Sequence, residues 1–316
     1  MDGYFPFETG RRRTLKAAIS CVGIGVHTGR RVSLSLLPAA PNTGIVFRRT
    51  DLANAEIAAR WNNVVDTRLC TVLGDAARPD FRIGTVEHVM AALAGCGVDD
   101  AVVALDGPEV PILDGSAAPF VFLIDCAGTV SRPGPTEVLE VLKPVRVQQG
   151  EAWAELAPNG GDHFEAEVTI EYQAPAIGRQ RCTEQLTPHS FRTGVASART
   201  FGLLEDVAKL HAAGLGLGGN LSNAVVVDGN RVLNPGGLRR PDEFVRHKLL
   251  DAVGDLALAG AALRGRFTGH RSGHALNNKL LRALFAERGA WRLVPPLLLG
   301  EGASARLPAA AAPNFA

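Results

Sequence analysis

A short stretch near the middle of the chain, GTVSRPGPTE, interrupts the regular patterns on both sides of it. It places Pro133, Gly134 and Pro135 in succession, and proline and glycine commonly end helices and strands. The same order recurs on each side, because strand-like apolar runs come first and a histidine-bearing helical segment follows. We therefore expect a domain boundary here, with similar α+β units over residues 1–130 and 131–316.

The first half contains strand-like runs and two helical segments. Val86, Val89, Met90 and Leu93 recur at helical spacing in TVEHVMAALAG, and the glycines that follow predict the end of this helix. A second helix is expected over residues 116–126. Strands are expected over residues 32–36, 44–48, 68–73 and 101–105.

The second half repeats this order over a longer stretch. Its strongest helical pattern lies in PDEFVRHKLLDAVGDLALAG, where Pro241 and Asp242 stand at the start. Further elements are expected as helices over 191–200, 206–213 and 274–288, strands over 138–147, 152–156 and 164–172, and a hairpin over 223–233. Strands grouped ahead of helices favour an α+β fold over an alternating, doubly wound sheet.

The composition is that of a folded globular protein. Of the 316 residues, 46% are apolar and 21% are charged, which excludes collagen, coiled-coil and largely disordered classes. Lys and Arg number 33 against 32 Asp and Glu, so the net charge is only +1. No broad positive field attracts nucleic acid, and an anionic ligand must be held by a local cluster of cations. We expect no nucleic-acid partner.

Cysteine usage and hydropathy indicate a cytoplasmic protein. The five cysteines stand at irregular spacings without a CxxC pair, which favours a reducing compartment over a disulfide framework. The apolar run 17–26 is followed by HTGRR and the alternating VSLSL, which predicts a hairpin rather than a signal peptide. The uncharged run 212–227 contains four glycines, which a membrane-spanning helix of about 20 apolar residues does not tolerate. We expect no stable membrane anchor.

Two helical segments carry side chains suited to a metal ion. In HKLLD, His247 and Asp251 are four residues apart and point to one side of a helix, and Asp255 continues that stripe. In the other half, Glu87 and His88 stand side by side in an apolar helix. If His88 meets His247 and Asp251, three protein ligands leave a fourth position for water, as catalytic zinc requires, and Glu87 is placed as a general base. The alternatives are a surface ion pair in HKLLD and a buried, hydrogen-bonded His88.

Other motifs give weaker evidence for a function. HExxH is absent, and GLGLGG lies between a helix and a strand, which reverses the order of a dinucleotide-binding motif and indicates a turn-rich loop. Asp106, Glu109 and Asp114 stand among Gly and Pro and are interpreted as turn residues. A thiol hydrolase using Cys70 or Cys96 lacks a partner signature. A further alternative is a non-catalytic nucleotide-sugar or lipid-binding protein whose His/Asp cluster is a structural metal site or plain core.

Six motifs then occur in a characteristic order: TVEHVMAAL, DGPEVPILDG, SARTFG, GLGLGGN, EFVRHKLLDAVGDLALAG and SGHALNNKLL. Together they closely resemble the UDP-3-O-acyl-N-acetylglucosamine deacetylase family of lipid A biosynthesis, over about residues 13–284. The resemblance implies a zinc amidase that removes acetate from an acylated UDP-N-acetylglucosamine. It also implies two similar domains, each a sheet with a helix pair, packed as a sandwich with the helices between the sheets. We expect a monomer.

The resemblance also implies catalytic roles for individual residues. The implied zinc ligands are His88, His247 and Asp251. Glu87 is the implied general base towards water at the metal. His274 is the implied protonated acid that serves the leaving amine, with Asp255 as its charged neighbour. Thr200 is implied to donate a hydrogen bond to the oxyanion.

Substrate contacts follow from the same resemblance. Phe201 and Gly219 fall where the family lines its substrate passage, and Lys248 and Arg271 fall near the diphosphate. Ala152 departs from the pattern, because many relatives are expected to carry a basic residue there, so one phosphate contact is missing or moved. The residues left without a role are His27, Asp114 and Asp206.

Overall fold

The computed structural model describes residues 11–295. The strands of the first half are β1 (Arg11–Leu15), β2 (Ile19–Ile24), β3 (Arg31–Pro38), β4 (Ile45–Arg49), β5 (Ala55–Ala58), β6 (Val64–Asp66), β7 (Val72–Asp75), β8 (Arg78–Ile83), β9 (Ala101–Leu105) and β10 (Thr129–Pro135). Its helices are α1 (Glu87–Gly95) and α2 (Ala118–Ala127). Both helices lie close to the predicted ranges, and β9 matches its prediction.

The second half has the same kinds of element. Its strands are β11 (Val138–Val141), β12 (Val145–Gln149), β13 (Ala152–Ala157), β14 (Phe164–Glu171), β15 (Arg179–Gln185), β16 (Phe201–Leu203), β17 (Val225–Asp228), β18 (Arg231–Val232), β19 (Ala262–His270) and β20 (Trp291–Val294). Its helices are α3 (Pro188–Ser190), α4 (Leu204–Ala212), α5 (Glu243–Ala257) and α6 (His274–Ala286). The glycine-rich segment lies between α4 and β17, so the predicted helix–loop–strand order is confirmed.

One strand order occurs twice. In the first half five strands pair in the order β2-β3-β9-β4-β5. In the second half β12, β13, β19, β14 and β15 pair in the same succession, and β11 and β20 extend this sheet to seven strands. In both sheets the middle strand is antiparallel to one neighbour, β3 or β13, and parallel to the other, β4 or β14. Sheets and helices of this kind are compatible with the predicted α+β class.

The hydropathy of the strands explains their places in the first sheet. All five residues of β9, AVVAL, are buried, which is expected of a strand paired on both sides and covered by other elements. The neighbouring β3 alternates between buried and more exposed positions, with Val32, Leu34 and Leu36 in the core. The apolar residues of these strands belong to the same buried core as those of α1.

The two halves meet through α1 and α5, which pack directly against each other. Gly254 of α5 lies so close to α1 that a Cβ atom there would collide with the backbone carbonyl of Glu87. α5 also contacts β14 and β15, and α6 contacts β12 and β13. No helix within residues 11–295 is long and apolar enough to cross a membrane. The domain boundary after residue 130 and the two-domain sandwich stay predictions.

The central Pro/Gly stretch is itself a strand, contrary to our expectation that it interrupts all regular structure. Residues 129–135 form β10, which pairs with β1 in a two-stranded sheet. The pairing shifts register between Arg11 and Arg12. A two-stranded pair accommodates proline because each strand has a free edge where no backbone donor is needed.

Three other ranges were also predicted incorrectly. The strand expected over 68–73 begins only at Val72, because Leu69 has a positive φ of 67° within a bend. The strand expected over 138–147 is split in two, with Pro144 in the gap, where no backbone donor is available. The helix expected over 191–200 ends at Val195, and the chain then runs through Thr200, whose backbone N–H bonds to the Gly115 carbonyl, into β16.

Candidate metal centre and its surroundings

Three side chains with metal-binding atoms meet where α1 packs on α5. His88 comes from the first turn of α1, and His247 and Asp251 lie one turn apart on α5. One ligand atom from each of the three lies within 4.8 Å of the other two, and all three residues are buried. The structure therefore brings together the predicted ligands from the two halves of the chain.

The donor set fits a zinc ion. Asp251 Oδ1 lies 3.6 Å from His88 Nε2 and 3.3 Å from His247 Nε2. Tetrahedral zinc with bonds of about 2.0 Å places its ligand atoms about 3.3 Å apart, close to both distances. Two imidazoles and a carboxylate are also the ligand types of catalytic zinc, which keeps a position open for water. These residues would hold the ion.

His247 is oriented by the backbone. Its Nδ1 lies 3.0 Å from the carbonyl oxygen of Ala198, so Nδ1 carries the proton and Nε2 presents its lone pair towards Asp251. Burial lowers the pKa of His247 to about 3, which keeps the imidazole neutral and available to a metal. The Ala198 carbonyl precedes β16, so the chain leading into that strand also fixes the His247 imidazole.

The carboxylate ligand is paired with a lysine. Lys248 Nζ donates to Asp251 Oδ2 at 2.8 Å, while the other oxygen faces the histidines. Burial by itself would raise the pKa of Asp251, but His247 and Lys248 hold it well below its ordinary value. Lys248 therefore keeps Asp251 ionised, a role beyond the substrate contact predicted for it.

Glu87 lies next to this group at the start of α1. It is 3% exposed, and its Oε2 accepts a hydrogen bond from the backbone N–H of Thr71 at 3.0 Å. Its Oε1 lies 3.9 Å from His274 Nε2. Burial raises the pKa of Glu87, although His274 and His88 oppose that effect. A carboxylate with a raised pKa is a stronger base than an exposed one.

His274 opens α6 and is bound to Asp255, the charged neighbour that the family resemblance implied for it. His274 Nδ1 lies 2.9 Å from Asp255 Oδ2, which also accepts a hydrogen bond from Asn277 at 2.8 Å. Asp255 Oδ1 accepts a bond from the Thr71 hydroxyl. Burial alone would lower the pKa of His274, but Asp255 and Glu87 outweigh it and raise the pKa to about 9. The imidazole is therefore protonated at neutral pH.

Thr71 was not predicted from the sequence, yet it is hydrogen-bonded to both Glu87 and Asp255. Its backbone N–H binds Glu87 and its hydroxyl binds Asp255, and the residue is 1% exposed. It lies in the bend before β7, far along the chain from α5. No periodic pattern marks such a residue.

A small cavity of about 150 Å³ adjoins the metal centre and brings together both predicted diphosphate contacts. Lys248 and Arg271 line it together with Tyr172. Phe201 packs edge-on against Tyr172, and Lys248 Nζ lies 5.6 Å from the centre of the Phe201 ring. Arg271 also donates to Glu151 at 2.7 Å. The cavity thus combines two cations and the aromatic ring of Tyr172 with the carboxylate of Glu171.

Thr200 and Gly219 lie on neighbouring segments, and neither belongs to the His88–His247–Asp251 group found within residues 11–295. Thr200 is held by backbone bonds to Gly115 and Val225, immediately before Phe201. Gly219 lies in the glycine-rich loop and approaches Val26. Their predicted contacts with substrate stay predictions.

Four residues that the sequence left open have local surroundings in the structure. Asp114 accepts bonds from Ser116 and Arg239, and Asp206 pairs with Lys209 on the surface of α4. Ala152 begins β13 beside Trp153, whose ring lies under the Arg146 guanidinium at 3.8 Å. The backbone N–H of His27 is bonded to Glu109.

The fold and the site define a class of protein. The fold is mixed α/β, and a buried group of two histidines and one aspartate suits a metal ion. Beside this group lie the carboxylate of Glu87 and the imidazole of His274, which is paired with Asp255. The chain belongs to the LpxC family, described as UDP-3-O-acyl N-acetylglycosamine deacetylase, which matches residues 12–286. A UDP-3-O-acyl-N-acetylglucosamine deacetylase of Acidithiobacillus ferrooxidans is 51% identical over 287 residues, 90% of this chain and 93% of that protein. Proteins of the same name from Shewanella frigidimarina and Shewanella oneidensis are each 47% identical, over 90% of this chain and 92% of theirs.

Proposed function

We propose that this protein is a zinc-dependent hydrolase that removes the N-acetyl group of UDP-3-O-acyl-N-acetylglucosamine, the committed deacetylation step of lipid A biosynthesis. The observation that carries the proposal is the buried meeting of His88, His247 and Asp251 beside Glu87 and His274. Family membership and the names of the relatives supply the substrate. A structural zinc site usually has four protein ligands, so a three-ligand group supports catalysis over a binding protein.

The protein residues divide the proton transfers between them. When bound, zinc lowers the pKa of water towards neutrality and polarises an amide carbonyl. Glu87, whose Oε2 is fixed by the Thr71 N–H, takes a proton from the attacking water. An amine cannot leave readily as an anion, so His274 donates a proton to the departing nitrogen. Thr200 donates a hydrogen bond to the oxyanion of the tetrahedral intermediate.

The substrate is held by local groups rather than by net charge. Lys248 and Arg271 line one cavity and bind the diphosphate, because cations there act at short range. Phe201 and Gly219 border the passage for the acyl chain, in which each buried CH₂ contributes about 0.8 kcal/mol. A sugar nucleotide without the acyl chain should therefore be a much poorer substrate.

The decisive test measures zinc content and acetate release on the same samples. Alanine at His88, His247 or Asp251 should reduce zinc content and activity together. Glu87→Gln should keep the zinc but lower turnover by about 100-fold or more, because an amide cannot take a proton from water. Activity that survives chelation, with no metal in the protein, contradicts the proposal. Loss of zinc in Glu87→Gln would make Glu87 a ligand.

We also propose a cytoplasmic location and a monomeric state. All five cysteines are free thiols in the structure, as a reducing compartment allows. Light scattering of the purified protein tests the monomer directly, and a dimer mass would contradict it.

A further inference from the structure

A buried carboxylate stands outside the proposed chemistry. Glu109 is 2% exposed and lies in the loop after β9. Its backbone is tied to the chain entering α1, because Gly84 donates to the Pro108 carbonyl and Val110 donates to the Gly84 carbonyl. The interpretation of Glu109 as a turn residue is therefore wrong. Its side chain is committed to residues more than 20 positions away.

Glu109 accepts four hydrogen bonds from neutral donors. Its Oε1 receives the backbone N–H of His27 at 2.9 Å and the hydroxyl of Thr85 at 3.0 Å. Its Oε2 receives the backbone N–H of Thr28 at 2.8 Å and the hydroxyl of Thr28 at 2.7 Å. A buried carboxylate is stabilised by such donors, and each bond in turn fixes its donor. Through these bonds Glu109 fixes the backbone of the turn formed by residues 25–28.

That turn supports the glycine-rich loop. Leu217 N–H donates to the His27 carbonyl at 3.2 Å, and Gly218 N–H donates to the Val26 carbonyl at 3.0 Å. A side chain at Gly218 would collide with the carbonyl oxygen of Gly25, so the two backbones touch without space between them. Any displacement of the turn must therefore move the loop.

The turn also carries the imidazole of His27. Burial lowers the pKa of His27, and the carboxylate of Glu109 opposes that effect. His27 Nδ1 is buried and has no hydrogen-bond partner among residues 11–295. The turn that carries this imidazole therefore rests on Glu109.

We infer that Glu109 is a positioning residue of the proposed deacetylase: it fixes turn 25–28, and through that turn the loop 216–219, at the edge of the substrate site. This inference rests on the proposed function. Glu109 acts through its four donors and does not touch the metal ligands, which lie on α1 and α5. It should therefore affect substrate binding more than zinc binding.

The test uses Glu109→Gln in the full-length zinc protein. Each carboxylate oxygen accepts from one backbone N–H and one hydroxyl, so the amide group of glutamine opposes one backbone N–H and loses that bond, while the hydroxyl beside it can turn and accept. The Michaelis constant for the acylated UDP-sugar should rise about tenfold, because one bond to the charged group is lost and the turn no longer holds the loop 216–219 firmly. Zinc content should equal that of wild type, and kcat should change much less than KM.

Two further variants are measured together with Glu109→Gln. Asp106→Asn is the matched control, because this carboxylate lies in the same loop but its bond, from the Ser33 N–H, lies at an exposed position. It should leave KM unchanged. Thr28→Val removes one of the four bonds and should raise KM by a smaller factor, so it tests the inference if Glu109→Gln does not fold.

Hydrogen exchange separates a positioning role from general destabilisation. In Glu109→Gln, amides of residues 25–28 and 216–219 should exchange faster, while those of α1 and α5 should not. Wild-type KM in an active Glu109→Gln enzyme, or equally faster exchange throughout the chain, overturns the inference. Failure of the proposed function is recognised separately, because the wild-type protein would then release no acetate while the exchange experiment still reports on Glu109.

Discussion

A buried carboxylate, Asp255, lies at the centre of the hydrogen bonds that surround His274. It binds His274 at 2.9 Å and also accepts bonds from Thr71 and Asn277. Asp255 is 2% exposed, so water screens its charge only weakly and the carboxylate acts strongly on the neighbouring imidazole. Asp255 thus sets the charge of His274 as well as its orientation.

This pair predicts the basic limb of the pH profile. The pKa of His274 is raised to about 9, so the protonated form that serves as acid is present below that pH and is lost as the pH rises through it. Asp255→Asn should move the basic limb to lower pH, towards the ordinary histidine value of about 6.5. Initial rates at saturating substrate across pH measure the shift.

The control for this experiment is Asp206→Asn, which changes a carboxylate that pairs with Lys209 on the surface of α4. Its basic limb should stay where the wild-type limb lies. A basic limb that does not move in Asp255→Asn, with zinc still bound, would mean that Asp255 does not support the charge of the catalytic acid. An unchanged basic limb in His274→Ala would remove His274 as the acid and leave Glu87 to perform both proton transfers.

The crossing of two helices decides whether the three proposed metal ligands meet. Gly254 allows α5 to touch the α1 backbone at Glu87, one residue from His88. Glycine within a helix costs about 1 kcal/mol relative to alanine, so its presence here is explained by the close contact rather than by helix propensity.

Gly254→Ala should therefore destabilise the protein although alanine is the better helix former. The added methyl group forces α1 away from α5, and overpacking of this kind costs about 1–3 kcal/mol. Zinc affinity should fall as well, because the separation moves His88 away from His247 and Asp251. Denaturant unfolding and zinc titration measure the two effects.

Gly236→Ala is the matched control for Gly254→Ala. A Cβ atom there has no neighbour within 4 Å, so stability and zinc affinity should remain at wild-type values. Unchanged zinc affinity in Gly254→Ala would show that the helix crossing tolerates the extra methyl group without moving the ligands.

On the scale of the whole molecule, the proposed metal centre would join the two halves of the chain. His88 precedes the central strand β10, whereas His247 and Asp251 follow it. A ligand that binds only the folded state stabilises it, by about 4 kcal/mol at a free concentration a thousandfold above Kd. Zinc should therefore raise the thermal unfolding temperature of the entire protein.

Calorimetry with zinc and with a chelator measures this stabilisation. His88→Ala should lose the zinc-dependent increase in Tm, because one of the three ligands is missing. His189→Ala should retain it, since His189 is exposed and lies outside the metal group. A Tm of the wild-type protein that does not respond to zinc removal would contradict a bridging metal.

Much of the candidate site was predictable because the sequence patterns that mark it are local. The spacing of His247, Asp251 and Asp255 places them on one side of a helix whatever surrounds it, and the structure places all three towards the site. The repeated order of strands and helices likewise follows from short-range hydropathy patterns, and the strand order occurs twice in the structure. Helical periodicity and strand alternation act over a few residues, so the chain displays them directly.

Other features were decided only by tertiary structure. Thr71 bonds Glu87 and Asp255, and the buried carboxylate of Glu109 holds a turn more than 80 residues earlier in the chain. The Pro/Gly stretch around Gly134 became a strand because β1 was available to pair with it. Contacts of this kind join segments that are distant along the chain and leave no periodic trace, because they depend on how α1, α5 and the sheets pack rather than on the local preference of any residue.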